Sequence, residues 1–244
     1  MNPDWITPDW PAPAAVRACV TTRDGGVSVA PYASFNLGNH VGDVPAHVAQ
    51  NRARVRAALP AEPVWLKQTH GLLVADATLA QPEAEADASV ARQLDRVCVV
   101  MTADCLPVLF CDQAGTVVGA AHAGWRGLAD GILEQTVAAM LVPPGQIMAW
   151  LGPAIGPGKF EVGEEVQAIF VADLPGASAA FQASKPGKWL ADIYQLARLH
   201  LARLGVHQVY GGGLCTYTDA TRFYSYRRDG ITGRMASLIW LADT

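Results

Sequence analysis

The chain has 244 residues, is 51% hydrophobic and 16% charged, and carries a net charge of −4, so it can bury a substantial core and is not of disordered composition. Its basic residues are scattered rather than gathered into a stripe, which argues against a nucleic-acid partner. No basic start or apolar h-region opens the sequence, no apolar run approaches a membrane span, and five cysteines are too few for a disulfide framework, so a cytoplasmic, reducing setting is expected.

In chain order, AVRACVTT (15–22) reads as a strand, and RDGGVS follows as a turn in which Gly25 and Gly26 can take positive φ. PYASFNLGNHVGD is glycine-punctuated loop, with His40 near its end. VPAHVAQNRARVRAAL (44–59) reads as a helix capped by Asp43, started by Pro45 and burying Val44, Val48, Val55 and Leu59. PVWLKQTHG (63–71) is expected to be a strand whose end delivers Gln68 and His70, and AQPEAEADASVARQ (80–93) a surface connection.

Strands are expected at 97–101, 106–110 and 116–121, then a helix over 127–141 that buries Leu128, Ile132, Leu133 and Met140. AWLGPAIGP runs from strand into loop, and EEVQAIF starts a further helix. LADIYQLARLHLARLG (190–205) is periodic, with Leu190, Ile193, Leu196, Ala197, Leu201 and Leu204 inward and Gly205 as its stop. SYRRDGITGRMASLIWL is a turn leading into a buried strand. Strands outnumber helices without alternating with them, which points to one α+β domain spanning 1–244.

His70, Cys105 and His122 each fall where an expected strand ends or breaks. Two imidazoles and a thiolate suit a borderline metal, zinc best, and three protein ligands leave a fourth position for water or substrate. The same residue types also serve as buried packing or as hydrogen-bonded core groups, and no compact metal motif supports the set by spacing alone. Arginines stand in glycine-bearing loops at Arg23, Arg126, Arg227, Arg228 and Arg234, where a guanidinium could grip phosphate or carboxylate. Trp125 and Tyr226 could stack on a planar ring. Three absences narrow the chemistry: no H-x-H as expected of a multicopper oxidase, no H-x-E with P-C-x-x-C, and no Rossmann or Walker glycine loop.

The motifs TTRDGGVS, WLKQTHG, TADCLPVLF, AAHAGWRGLADGILE, WLGPAIGPGKFEVGEEV and CTYTD…FYSYRRDGITGRMASLIWL, taken in order from about residue 15 onward, resemble the YfiH family, also called the laccase-domain or polyphenol-oxidase-like family. The resemblance implies an α+β fold of layered mixed sheets with flanking helices, related to the catalytic domain of cytotoxic necrotizing factor toxins. It also implies a metal, generally zinc with copper as the alternative, on His70, Cys105 and His122. The activities it implies are phosphorolysis of purine nucleosides (adenosine, inosine, methylthioadenosine) and adenosine deamination. A hydrolase acting on a UDP-muramyl precursor is an alternative, and copper-dependent phenol oxidation is the least favoured.

Under that reading the partners are a small nucleoside and phosphate, with neither nucleic acid nor membrane, in a monomer or small homo-oligomer. Asp104 or Asp87 would relay a proton, Arg23 and Arg227 would clamp phosphate with Arg126 as a further anion contact, Gln68 would absorb charge on the departing purine, and Asn36 would hold a ribose hydroxyl. In the hydrolase alternative Cys105 is the nucleophile and His122 its base.

Overall fold

The computed structural model describes residues 4–243; residues 1–3 and 244 lie outside it. Two sheets face each other at the centre. The larger has six strands in the order β11-β7-β5-β6-β3-β2, built from β2 (Val74–Asp76), β3 (Ala88–Ala91), β5 (Leu106–Asp112), β6 (Val118–Ala123), β7 (Ile147–Leu151) and β11 (Gln208–Gly211). The smaller is β1-β12-β4, from β1 (Val16–Val20), β4 (Cys98–Thr102) and β12 (Met235–Leu241), antiparallel throughout. A peripheral third sheet joins β8 (Glu161–Gly163), β9 (Phe181–Ala183) and β10 (Lys188–Ala191). The architecture is α+β with layered mixed sheets.

The period-two rule for strands explains the layering. Along β5, Leu106, Val108 and Phe110 enter a core under the helices, while Leu109 and Cys111 face the smaller sheet. Along β12, Ile239 and Leu241 meet that sheet-to-sheet core, and Ala236, Leu238 and Trp240 turn outward. There they pack with Val55 and Leu59 around α1 (Pro45–Ala57). On the opposite flank α3 (Ile132–Ala139) and α5 (Ile193–Arg203) bury Leu133, Val137, Leu196 and Leu201. The inner strands β5 and β12 are thus apolar on both faces, which is why these segments read as near-continuous hydrophobic runs.

Several expectations are corrected. Asp43 does not cap α1: the N-cap position is Val44, which is exposed rather than inward, and the Asp43 carboxylate instead accepts hydrogen bonds from Ser28 Oγ (2.6 Å) and Asn36 Nδ2 (2.9 Å). Residues 63–71 form isolated bridges at Val64 and Lys67 rather than a strand, because the amides turn to different neighbours: Val64 N donates to Val97 O and Lys67 N to Ala84 O. The 80–93 stretch is not all surface; β3 is wholly buried, and its small residues lack the β-branched signature of a strand.

The single helix expected over 127–141 is two, α2 (Trp125–Asp130) and α3, separated by Gly131 at φ 105°. Leu190 lies in β10, so α5 begins only after Asp192, whose side chain accepts from Gln195 N (3.0 Å). Helix α4 (Glu164–Asp173) and the short α6 (Tyr226–Asp229) complete the helical set among the described residues.

Gly131 supplies a left-handed link that an L residue adopts only at a cost. Gly131→Ala is therefore expected to destabilise the protein by about 1–2 kcal/mol; in a continuous helix the same change would stabilise by about 1 kcal/mol. Urea unfolding decides by sign.

Candidate metal centre between two cavities

The three residues expected to ligate a metal come together. The ligand atoms of His70, Cys105 and His122 all lie within 4.8 Å of one another, with Cys105 Sγ 3.8 Å from His70 Nε2. The imidazole rings stand edge to face, 4.7 Å between centroids. His122 sits near the end of β6, which pairs with β5 so that Pro107 lies opposite it, and Cys105 immediately precedes β5. The pairing of two adjacent strands therefore brings these two residues to the same sheet end, and the loop after the 63–69 segment lays His70 across them.

Asp87, buried at the start of β3, organises the cluster. One carboxylate oxygen accepts from His122 Nδ1 (2.8 Å) and His70 N (2.9 Å); the other accepts from Thr69 N (3.0 Å) and Gly71 N (2.7 Å). Its own carbonyl accepts from His122 N (2.7 Å). Burial would raise its pKa, but the bond from His122 and those loop amides outweigh it and hold the carboxyl below its ordinary value of 3.8. With Nδ1 engaged in this way, His122 presents Nε2 to the cluster, the arrangement by which carboxylates orient metal-binding imidazoles.

Backbone strain is concentrated at the same place. His70 has φ 60° and Asp104 φ 92°, both left-handed values that non-glycine residues rarely adopt. Asp104 is fixed there by Thr216 Oγ1 (2.6 Å) and Arg227 N (2.6 Å), each donating to one of its carboxylate oxygens, and by Ile155 N donating to its carbonyl (2.9 Å). Gly124 explains part of the HAGWRG motif: a Cβ there would stand 2.9 Å from His70 Cδ2 and 3.1 Å from Cys105 Sγ.

The donor set fits a borderline divalent ion. Bonds of about 2.1 Å to imidazole and 2.3 Å to thiolate at tetrahedral angles place N and S about 3.6 Å apart, close to the separation found. Without an ion the cluster polarises itself. Burial opposes ionisation of Cys105, yet the imidazoles of His122 and His70 bring its pKa down to about 6. Burial likewise opposes charge on His122, but the Cys105 thiolate and Asp87 raise it to about 9.

Two cavities adjoin the cluster, sharing His70, Ala103, Cys105 and Tyr226 as lining. The first, about 240 Å³, is lined by Trp125, Ile155, Phe160 and Ile193, with Asp104, Arg126 and Arg227 at its polar edge. The second, about 370 Å³, is lined by Gln68, Met101, Thr102 and His122 together with His40 and Arg234. Arg126 stacks on Trp125, while Arg227 lies over Phe160 and donates to Glu161 O (2.7 Å).

Gln68 lines the second cavity, with its amide paired both ways to Met101: Nε2 donates to the carbonyl (2.8 Å) and Oε1 accepts from the N–H (2.7 Å). Arg23 stands elsewhere, donating to Ala33 O and Ala220 O. Asn36 is fully buried in a bracket with Gly38, Asp43 and the Arg234 amide. These two do not join the cluster. His40, Tyr226 and Arg234 do line the cavities; the glycine-bearing loops around His40 and Arg234 were their one sequence signal.

A match across nearly the whole chain decides the family. The model described as multi-copper polyphenol oxidoreductase laccase covers residues 17–242. The chain belongs to the YfiH, or laccase-domain, family. It is 57% identical to a Pseudomonas aeruginosa protein named purine nucleoside phosphorylase, over 98% of this chain and 99% of that one. It is 58% identical to the Escherichia coli K12 protein named purine nucleoside phosphorylase YfiH, over 97% and 98%.

The crystal structure of a Neisseria meningitidis protein superposes with a TM-score of 0.95 at 55% identity, covering 98% of this chain and all 100% of the other. That of YlmD from Geobacillus stearothermophilus superposes with a TM-score of 0.90 at 31% identity, covering 100% and 98%. Relatives named as phosphorylases support an enzyme.

Asp87→Asn removes the acceptor that orients His122 and is expected to weaken zinc binding about 10- to 100-fold, read by competition with a chromophoric chelator. The depressed carboxyl also has a signed consequence. Its contribution to stability is present above pH 3.8 and lost as pH falls through the folded-state value below it. The metal-free wild type should therefore lose stability over that acidic window, and Asp87→Asn should lack that component.

Proposed function

We propose that this protein is a zinc-dependent purine nucleoside phosphorylase that also deaminates adenosine. The observation that carries the reading is the placement of a two-imidazole, one-thiolate cluster on the wall common to two cavities, one with the aromatic and aliphatic faces of Trp125, Phe160, Ile155 and Ile193, the other with the polar groups of His40, Gln68 and Arg234. Phosphorolysis needs such a division: a flat purine on one side, an anion on the other, and the anomeric carbon between them.

His70, Cys105 and His122 would hold the ion, which when bound supplies Lewis acidity toward oxygen or nitrogen groups of substrate or water. The chain's own residues do the rest. Trp125 and Phe160 supply faces for a purine ring, and Ile155 and Ile193 exclude water beside it. Gln68, locked to Met101 by both ends of its amide, borders the reacting region with little freedom to reorient. Asp87 keeps its charge as the acceptor for His122 and the 69–71 amides, which makes it a positioning group rather than a mobile relay. Asp104, with both oxygens engaged, holds Cys105 and α6 in place in the same manner. The relatives' names support the nucleoside substrate class. All five cysteines are free, which supports a reducing, cytoplasmic location. No helix among the described residues is long and apolar enough to cross a membrane.

One observation favours a second reading. Without metal, Cys105, His122 and Asp87 form a thiolate–imidazolium–carboxylate series of the kind used by cysteine hydrolases, which would suit amide cleavage in a muramyl precursor. Iodoacetamide separates the two. A ligand thiol is shielded in the zinc-loaded protein and is labelled at pH 7 only after chelation; a nucleophile is labelled at the same rate in both forms.

Metal analysis of the purified protein should give one zinc per chain. Incubation with adenosine should give adenine and ribose 1-phosphate only when phosphate is present, and inosine when it is absent. Cys105→Ala and His122→Ala should each lose both the zinc and all turnover. A variant of either residue that kept stoichiometric zinc and full turnover would remove the cluster from the mechanism.

A further inference from the structure

Arg234 is a cation beside the cluster that forms no ion pair among the described residues. It lies at the start of β12, half-buried, on the wall of the second cavity. One guanidinium nitrogen, Nη1, donates to Thr232 O (3.2 Å) and Gly233 O (3.0 Å); Nε and Nη2 have no protein acceptor, and no carboxylate among the described residues forms an ion pair with it. Of the other arginines first considered for anion binding, Arg126 and Arg227 belong to the first cavity, where Arg126 lies over Trp125, and the remaining two are committed to other acceptors. Arg23 gives three nitrogens to backbone carbonyls outside the cavities, and Arg228 is tied to Asp229 and three carbonyls. Arg227 faces the aromatic cavity, where a phosphate would meet apolar walls.

His40 lines the same cavity as Arg234, and both continue into an adjoining open recess bounded by Val41, Gly230 and Thr232. Burial, and after it the neighbouring Arg234 and Arg52, keep the His40 imidazole below its ordinary pKa of 6.5, so at neutral pH it is an uncharged N–H donor. The carboxylate whose charge acts on it, Glu83, accepts a hydrogen bond from Asn39. An unpaired guanidinium fork and a neutral imidazole, reached through an open mouth, are a suitable receiver for a small dianion.

Resting on the phosphorylase reading, we infer that Arg234 and His40 form the phosphate subsite of this enzyme, in the second cavity, with the purine opposite on Trp125 and Phe160. Phosphate held in the second cavity and base held in the first would leave the sugar at the shared lining, with attack and departure on opposite faces of the anomeric carbon. One phosphate oxygen forms its bond to the anomeric carbon as the bond from that carbon to the purine nitrogen breaks. The electron pair leaves on the purine, which takes the one proton of the hydrogen phosphate dianion, and the products are free base and sugar 1-phosphate.

Steady-state kinetics of the zinc-loaded protein, with inosine and inorganic phosphate varied independently, tests this. Arg234→Gln should raise KM for phosphate about 10- to 100-fold with KM for inosine changed less than about twofold, the scale of a lost charge-assisted hydrogen-bond pair. Arg234→Lys should recover part of the loss, since it restores charge but not the fork. Arg227→Gln should raise KM for inosine and leave KM for phosphate in place. His40→Asn, on an exposed loop, should raise KM for phosphate even if Arg234→Gln fails to fold.

A wild-type protein that releases no base in a phosphate-dependent manner would sink the phosphorylase reading itself. A phosphate-dependent wild type in which the Arg234 and His40 variants keep their phosphate KM, or in which Arg227→Gln takes the loss, would overturn the subsite alone.

Discussion

A single buried carboxylate holds the centre of this protein together. Asp87 accepts from the ring of His122 and from three consecutive backbone amides, at residues 69–71, that carry His70. The two imidazoles come from segments with no direct pairing to each other, so their mutual position depends on this shared acceptor. A buried carboxylate is costly unless its lone pairs are filled, and here they are, which makes the geometry stiff. The loop does not need regular structure of its own, because Asp87 reads its amides and Gln68 clasps the backbone of Met101.

The second constraint is the strained turn at Asp104. A φ of 92° costs a non-glycine residue about 1–3 kcal/mol. It persists because Thr216, Arg227 and Ile155 fix the residue from three different segments. The result is a thiol delivered at the edge of β5 into a space that Gly124 keeps open. Ligands, positioning carboxylates and cavity walls thus belong to one cross-braced unit, and the different linings of the two cavities follow from which strand end or loop reaches each.

How far the sequence could be read depends on how local the cause was. Helix α5 was legible because its burial follows a fixed repeat along the chain, and strand β12 because it is a continuous apolar run. Strand β3 was not, since Ala, Ser and Val carry little strand signal and the segment is a strand only because β6 and β2 flank it. Within the site, His70, Cys105 and His122 could be picked out as residues of ligand type at strand ends. Asp87 was read as a candidate proton relay, because nothing in an alanine- and glutamate-rich stretch signals that its aspartate is the buried anchor. Arg23 and Arg234 looked alike, each an arginine in a glycine-bearing loop; only their surroundings differ, one saturated by carbonyls and the other facing a cavity.

By itself, then, the sequence determined the layered α+β class and the chemistry available to the site: two imidazoles, a thiol and a set of loop arginines. Side-chain type and hydrophobic period are properties of the chain as written. The tertiary structure decided which carboxylate orients which imidazole, which cation stays unpaired, and that two cavities adjoin the cluster. Those facts arise from strand pairing between distant segments and from competition for buried acceptors, and neither is expressed in any local stretch of residues.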